Sequence, residues 1–241
     1  MSTFLTAEWR KLIMAQYAID PALLTPYLPG GVELDLYQNT CYVSLVGFLF
    51  DRVRLKGLPI PFHTRFEEVN LRFYVRRTEP DGTQRRGVVF ISEFVPRAAI
   101  TLIANTLYEE PYATLPTRYS ILNSPQSLAV QYDWKHRGTW HSLSVQAVPQ
   151  AQPIAPNSVE EFITEHYWGF TKRSNGSTSQ YDVHHPRWQV YPILKHSISA
   201  NFGSLYGPAF AHLDAAHPAN ILLAEGSAVS VGNGSRIPPS K

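Results

Sequence analysis

Hydrophobic and polar residues alternate along several stretches of the chain, and a period of two predicts strands. In residues 66–77, Val69, Leu71, Phe73 and Val75 face one way, while Asn70, Arg72, Tyr74 and Arg76 face the other. Residues 32–36 alternate with one wet face. Residues 127–134 and 139–148 are alternating runs joined by Lys135-His136-Arg137-Gly138, the spacing of a hairpin. Three further runs are apolar or β-branched with few breaks: 9–17 reads as a strand with a buried centre, 41–50 as one covered on both faces and 87–95 as a buried strand. Pro96 ends the last of these because it has no N–H to give to a ladder. The turn Pro80-Asp81-Gly82 makes 66–77 and 87–95 an antiparallel pair, and this pairing brings Glu67 and Glu68 toward Pro96 and Arg97.

Helical signals are shorter. Ala98, Leu102, Ile103 and Leu107 recur at helical spacing, so Arg97 is placed on a strand-to-helix corner from which it points into the space the sheet encloses. Asp20-Pro21 reads as an N-cap and first-turn proline for a short helix closed by Pro29-Gly30-Gly31. Ser158-Val159-Glu160-Glu161 is a capping box for a helix running through Trp168. A further helix, started or kinked by Pro208, is expected over 203–213, and 219–231 gives one bent strand or two short ones. Roughly ten strands and four short helices define an α+β chain, mainly antiparallel β, with a curved or closed sheet.

Composition adds a few limits. The chain has 241 residues, of which 44% are hydrophobic and 17% charged, so one domain with a sizeable core is expected over 1–241. A net charge of +2 calls for neither nucleic acid nor anionic membrane. Residues 52–97 hold ten Lys or Arg against five acids, which is read as the wet side of alternating strands. Cys41 is alone, and no window approaches the apolar length of a membrane span, so a reducing, cytoplasmic setting is expected. G-x-S-x-G, P-loop and dinucleotide fingerprints are absent. His184-His185-Pro186 lacks the spacing of a zinc site, and no metal or cofactor is expected.

Several long strings carry a resemblance. These are 5–10 (Leu-Thr-Ala-Glu-Trp-Arg), 42–48 (Tyr-Val-Ser-Leu-Val-Gly-Phe), 66–76, 160–169 and 224–227 (Ala-Glu-Gly-Ser). On them the chain is identified as a member of the YqjF-like DUF2071 family of uncharacterised bacterial proteins, with the match running over about 4–237. That family is similar in fold to acetoacetate decarboxylase, which implies a double-layered cone or barrel of antiparallel strands around a small-molecule pocket. The resemblance aligns Arg10, Tyr17 and Asp20-Pro21 with the decarboxylase's first core strand and short helix. It also aligns Phe66-Glu67-Glu68 with a segment that supplies a pocket carboxylate, and Phe94-Val95-Pro96-Arg97-Ala98 with the corner bearing the Schiff-base lysine. Both lysines of that corner are missing here. The resemblance implies imine chemistry on a free amine at that corner, and a guanidinium supplies none.

Three readings follow. In the first, an enzyme acts on a small organic acid or carbonyl compound, with Arg10 and Arg97 binding the ligand and Glu67 or Glu68 as acid or base. In the second, a non-catalytic protein has kept the pocket and lost the decarboxylase chemistry. The third, a nucleic-acid binder using the 52–97 basic excess, is the weakest. The partner expected is therefore a small organic acid or carbonyl ligand, without nucleic acid or membrane, and a homo-oligomer is left open.

Overall fold

The computed structural model describes residues 3–99, 101, 105 and 109–238; the helix expected over 98–107 lies largely outside them. Strands dominate. The first are β1 (Thr3–Ala18), β2 (Glu33–Leu34), β3 (Tyr42–Leu55), β4 (Leu58–Pro59), β5 (Phe66–Thr78), β6 (Gln84–Val95) and β7 (Tyr112–Thr114). Then come β8 (Thr117–Asn123), β9 (Leu128–His136), β10 (Thr139–Ala147) and β11 (Gln152–Pro153). Helix α1 (Val159–Thr164) leads to β12 (Trp168–Lys172), β13 (Thr178–His184), β14 (Gln189–Tyr191) and β15 (Ile193–Ser199). Helix α2 (Phe202–Tyr206) and the 3-10 segment Pro208–Ala215 precede β16 (Asn220–Gly232) and β17 (Ser235–Ile237).

The large sheet runs in the order β16-β1-β3-β5-β6-β12-β13, and β13 pairs back onto β16 at Val183–Val231 and His184–Ser230. These strands therefore close into a ring. Neighbours in the ring are antiparallel except β6 and β12, which run parallel at Gly87–Trp168 and Val88–Gly169. A second sheet, β15-β10-β9-β8, packs on the outside of the ring.

Strand β5 shows why two layers form. Its odd positions Val69, Leu71, Phe73 and Val75 are buried against Val130, Tyr132 and Trp134 of β9. Each such side chain contributes about 1.5–3 kcal/mol when fully buried. Its even positions turn to the inside of the ring. Tyr132 joins the layers where Gly47 of β3 leaves room, since a Cβ there would lie 2.8 Å from the ring's Cδ2. Its hydroxyl donates to the Lys11 carbonyl at 2.9 Å, at a bulge of β1 where Lys11 has φ 54°.

The pairing of β5 with β6 and the β9–β10 hairpin match the sequence expectations. Half of the capping box forms: Ser158 Oγ accepts from the Glu161 N–H at 3.2 Å, but the Glu161 carboxylate accepts from the Asn157 N–H and not from that of Ser158. Helix α1, however, ends at Thr164 and not at Trp168, because Trp168–Lys172 is taken up as a strand between β6 and β13. Pro208 does interrupt the later helix: α2 stops at Tyr206, and Gly207 turns the chain at φ 102°. Among the described residues seventeen strands replace the expected ten or so, because several pieces are only two or three residues long. Among the described residues no helix is long and apolar enough to cross a membrane.

Candidate functional site

The inner faces of the ring strands enclose a cavity of about 160 Å³, completed by the segment that leads into β7. Along β5 the inward positions are Phe66, Glu68, Asn70 and Arg72 in turn. The chamber is thus apolar at the Phe66 end and polar at the Arg72 end. At the apolar end Phe66 stacks on Phe50 (4.8 Å between ring centroids), and Trp9 meets Phe48 and Phe50 edge-on at 5.5 and 5.9 Å.

Three carboxyl groups share the polar part. Glu68 follows from the alternation of β5, but Glu93 needs an irregularity in β6. Leu71 pairs with Ser92 and Arg72 with Phe90, so Ile91 is an extra residue. This bulge lets Phe90 and Glu93 both face the chamber; a regular ladder would turn one of them outward. The third, Glu110, lies just before β7. Glu68 Oε1 accepts from Asn70 Nδ2 at 2.8 Å and Oε2 from the Tyr112 hydroxyl at 3.1 Å. Glu110 Oε1 accepts from the Tyr181 hydroxyl at 2.5 Å. Tyr181 lies opposite Gly169 of β12, where a Cβ would come within 2.2 Å of its Cζ, so only glycine admits the ring.

Burial pushes the Glu68 and Glu110 carboxyls up to about 7. It raises Glu93 well above the usual carboxylate range, with further repulsion from Glu110 and Glu68. Desolvation also raises the Tyr112 and Tyr181 hydroxyls, which stay protonated as donors. Neutral carboxyl groups are therefore favoured in the chamber.

Arg72 is the cation among them. Its Nη2 approaches Met14 Sδ at 3.7 Å, its Nε is buried without a partner, and among the described residues no carboxylate forms an ion pair with it. His166 also lines the chamber, in the turn after α1. Its Nε2 lies 3.1 Å from Asp35 Oδ2, which also accepts from Arg86 Nε at 2.6 Å. Burial works to raise the Asp35 carboxyl, but hydrogen bonds from His166 and Arg86 outweigh it and hold it low. Asp35 is therefore the acceptor, and His166 Nδ1 is left as a bare acceptor without a partner. Desolvation lowers the His166 imidazole to about 4, so it is neutral near pH 7.

The four residues singled out from the sequence are dispersed. Glu68 faces the chamber. Glu67 points the other way, toward the second sheet, and accepts from the Thr117 hydroxyl at 2.5 Å. Arg10 lies outside the lining and binds Glu8 Oε2 through Nε and Nη2 at 3.0 and 2.8 Å. Arg97 is exposed and also outside the lining. Sequence reasoning missed Arg72, Glu93, Glu110 and His166. The available signal was Glu93, the one charge within the largely apolar stretch Val88–Val95.

A closed ring around a polar-ended chamber, wrapped by a second sheet, is the acetoacetate-decarboxylase-like fold. An acetoacetate decarboxylase-like enzyme from Sphingomonas wittichii RW1 superposes with a TM-score of 0.68 at 13% identity, covering 100% of this chain and 95% of that one. Acetoacetate decarboxylase from Legionella pneumophila (strain Philadelphia 1) gives 0.66 at 13% identity, over 98% of this chain and 88% of the other. The enduracididine biosynthesis enzyme MppR, solved with pyruvate, gives 0.64 at 11%, over 98% and 91%. Such identities speak for the fold alone. The chain belongs to the DUF2071 family, described as an uncharacterized conserved protein, whose model matches residues 6–228. The uncharacterized protein YqjF of Bacillus subtilis (strain 168) is 27% identical over 186 residues, 75% of this chain and 72% of that protein.

Proposed function

We propose that the chamber binds a small organic acid or carbonyl compound and carries out lyase-like acid–base chemistry on it without an imine. The observation that carries this reading is Arg72, a guanidinium with no carboxylate partner among the described residues, sharing one enclosure with buried carboxyls that favour their neutral form. A guanidinium takes a carboxylate through two parallel hydrogen bonds and also stabilises negative charge as it develops. Glu68 then delivers its proton to the carbon or oxygen on which that charge appears. The resulting carboxylate keeps its bonds from Asn70 and Tyr112 and recovers a proton from water. Among the described residues lining the chamber there is no lysine, so none of them offers an amine to condense with a carbonyl. Pyruvate, bound by the structurally similar MppR, belongs to the same ligand class.

A thermal-shift panel of pyruvate, acetoacetate and related keto and hydroxy acids tests this reading. At least one acid is expected to stabilise the protein, with apparent affinity falling tenfold or more in Arg72→Met. Equal stabilisation of both proteins refutes the role of Arg72. The missing lysine also favours a second reading, a binding protein without turnover. An acid that binds through Arg72 and yet shows an unchanged NMR spectrum after long incubation with the protein establishes that one.

A further inference from the structure

Five buried polar atoms of residues lining the chamber have no partner among the described residues: Trp9 Nε1 at the aromatic end, and Asn70 Oδ1, Arg72 Nε, Glu93 Oε2 and His166 Nδ1 at the polar end. Each costs about 1–3 kcal/mol while unpaired, so together they describe the partner the chamber is built for. Trp9 Nε1–H and Arg72 Nε–H are donors, and the guanidinium calls for an anionic acceptor. The other three call for something different. Asn70 has committed its Nδ2 to Glu68, so its free atom is the carbonyl oxygen. His166 gives its Nε2 hydrogen to Asp35, so its free Nδ1 is an acceptor. Glu93 Oε2 accepts once the carboxyl is ionised. A plain carboxylic or keto acid satisfies Arg72 Nε–H and leaves the Asn70 and His166 acceptors bare.

Charge points the same way. Three carboxyls face one guanidinium, and their mutual repulsion helps to keep protons on them. A cation placed among them would relieve that repulsion. An ammonium also brings three hydrogens, where a hydroxyl brings one. The opposite end of the chamber, walled by Phe48, Phe50 and Phe66, is suited to an apolar body.

We infer that the ligand is an amino acid with an apolar side chain: its carboxylate sits on Arg72, its ammonium among Asn70 and Glu93, and its side chain against the aromatic wall. This rests on the binding reading above and narrows its ligand class. Ammonium binding draws a carboxylate out of the acid cluster, so complex formation releases a proton.

Isothermal titration of the full chain with one phenyl body in five forms tests the inference: phenylalanine, phenylpyruvate, 3-phenyllactate, 3-phenylpropanoate and phenethylamine. Phenylalanine is expected to bind at least tenfold more tightly than each of the others. Its binding enthalpy should shift between phosphate and Tris buffers in the direction of proton release. Glu93→Gln should cut the preference for phenylalanine over 3-phenylpropanoate at least tenfold. The wild-type series decides the matter even if that variant does not fold. Phenylpyruvate or 3-phenylpropanoate binding as tightly as phenylalanine overturns the ammonium and leaves the Arg72 reading standing; 3-phenyllactate binding tightest replaces the ammonium with a hydroxyl. A keto acid that binds through Arg72 while no phenyl compound does overturns the apolar body. Failure of every acid to bind in an Arg72-dependent way removes the underlying reading instead.

Discussion

Tyr181 reaches Glu110 because residue 169 has no side chain. Gly169→Ala is expected to displace the Tyr181 ring and cost about 1–3 kcal/mol, read as a lower urea midpoint at unchanged slope. Glu68 makes a prediction about pH. Its folded value, about 7, lies above the ordinary 4.5, so between the two the folded state holds a proton that the unfolded state has lost. The stability it contributes is complete below about 4.5 and is lost as pH rises toward 7. Urea unfolding of wild type and Glu68→Gln from pH 4.5 to 8 should therefore show wild type losing roughly 3 kcal/mol relative to the variant. His166 slopes the other way between about 4 and 6.5, but it does so in both proteins and drops out of the difference. Adjacent glutamates on a strand must face opposite ways, yet nothing in Phe66-Glu67-Glu68 says which face meets a chamber. That is decided by the second sheet, which supplies Thr117 to Glu67.

At the scale of elements, Tyr132→Phe removes the hydroxyl that caps the Lys11 carbonyl at the bulge of β1. It should cost about 1–2 kcal/mol in urea unfolding, with the far-ultraviolet spectrum unchanged. Strands were the most legible elements in the sequence, since alternation, turn residues and the capping box are local signals. The two faces of β5 were separated correctly, but its polar face looked like a solvated one. A period of two reports that the faces differ; it does not report what each one meets. The bulge at Ile91 was invisible for a related reason. It is set by the register against β5, and that register alone turns Glu93 inward. Helix α1 was read four residues too long because Trp168 carries no local stop signal. Its strand conformation comes from pairing with Gly87, far earlier in the chain.

For the molecule as a whole, the make-up of the chamber predicts an absence of covalent trapping. Treatment with acetoacetate and borohydride should leave the protein mass unaltered, and a reduced adduct would mean that an amine outside the lining gains access to it. The family resemblance gave the architecture because long strings of residues persist where the packing repeats. It could not give the site, since Arg72, Glu93, Glu110 and His166 come from separate stretches that only the closed ring brings together. That closure has a consequence for synthesis. Strand β16 must pair with β1 on one side and β13 on the other, so Leu5 waits for Val231 before the barrel can shut. A nascent chain halted before Asn220 has made every polar group of the chamber and still has no chamber, because the staves are cut and the hoop has not yet left the ribosome.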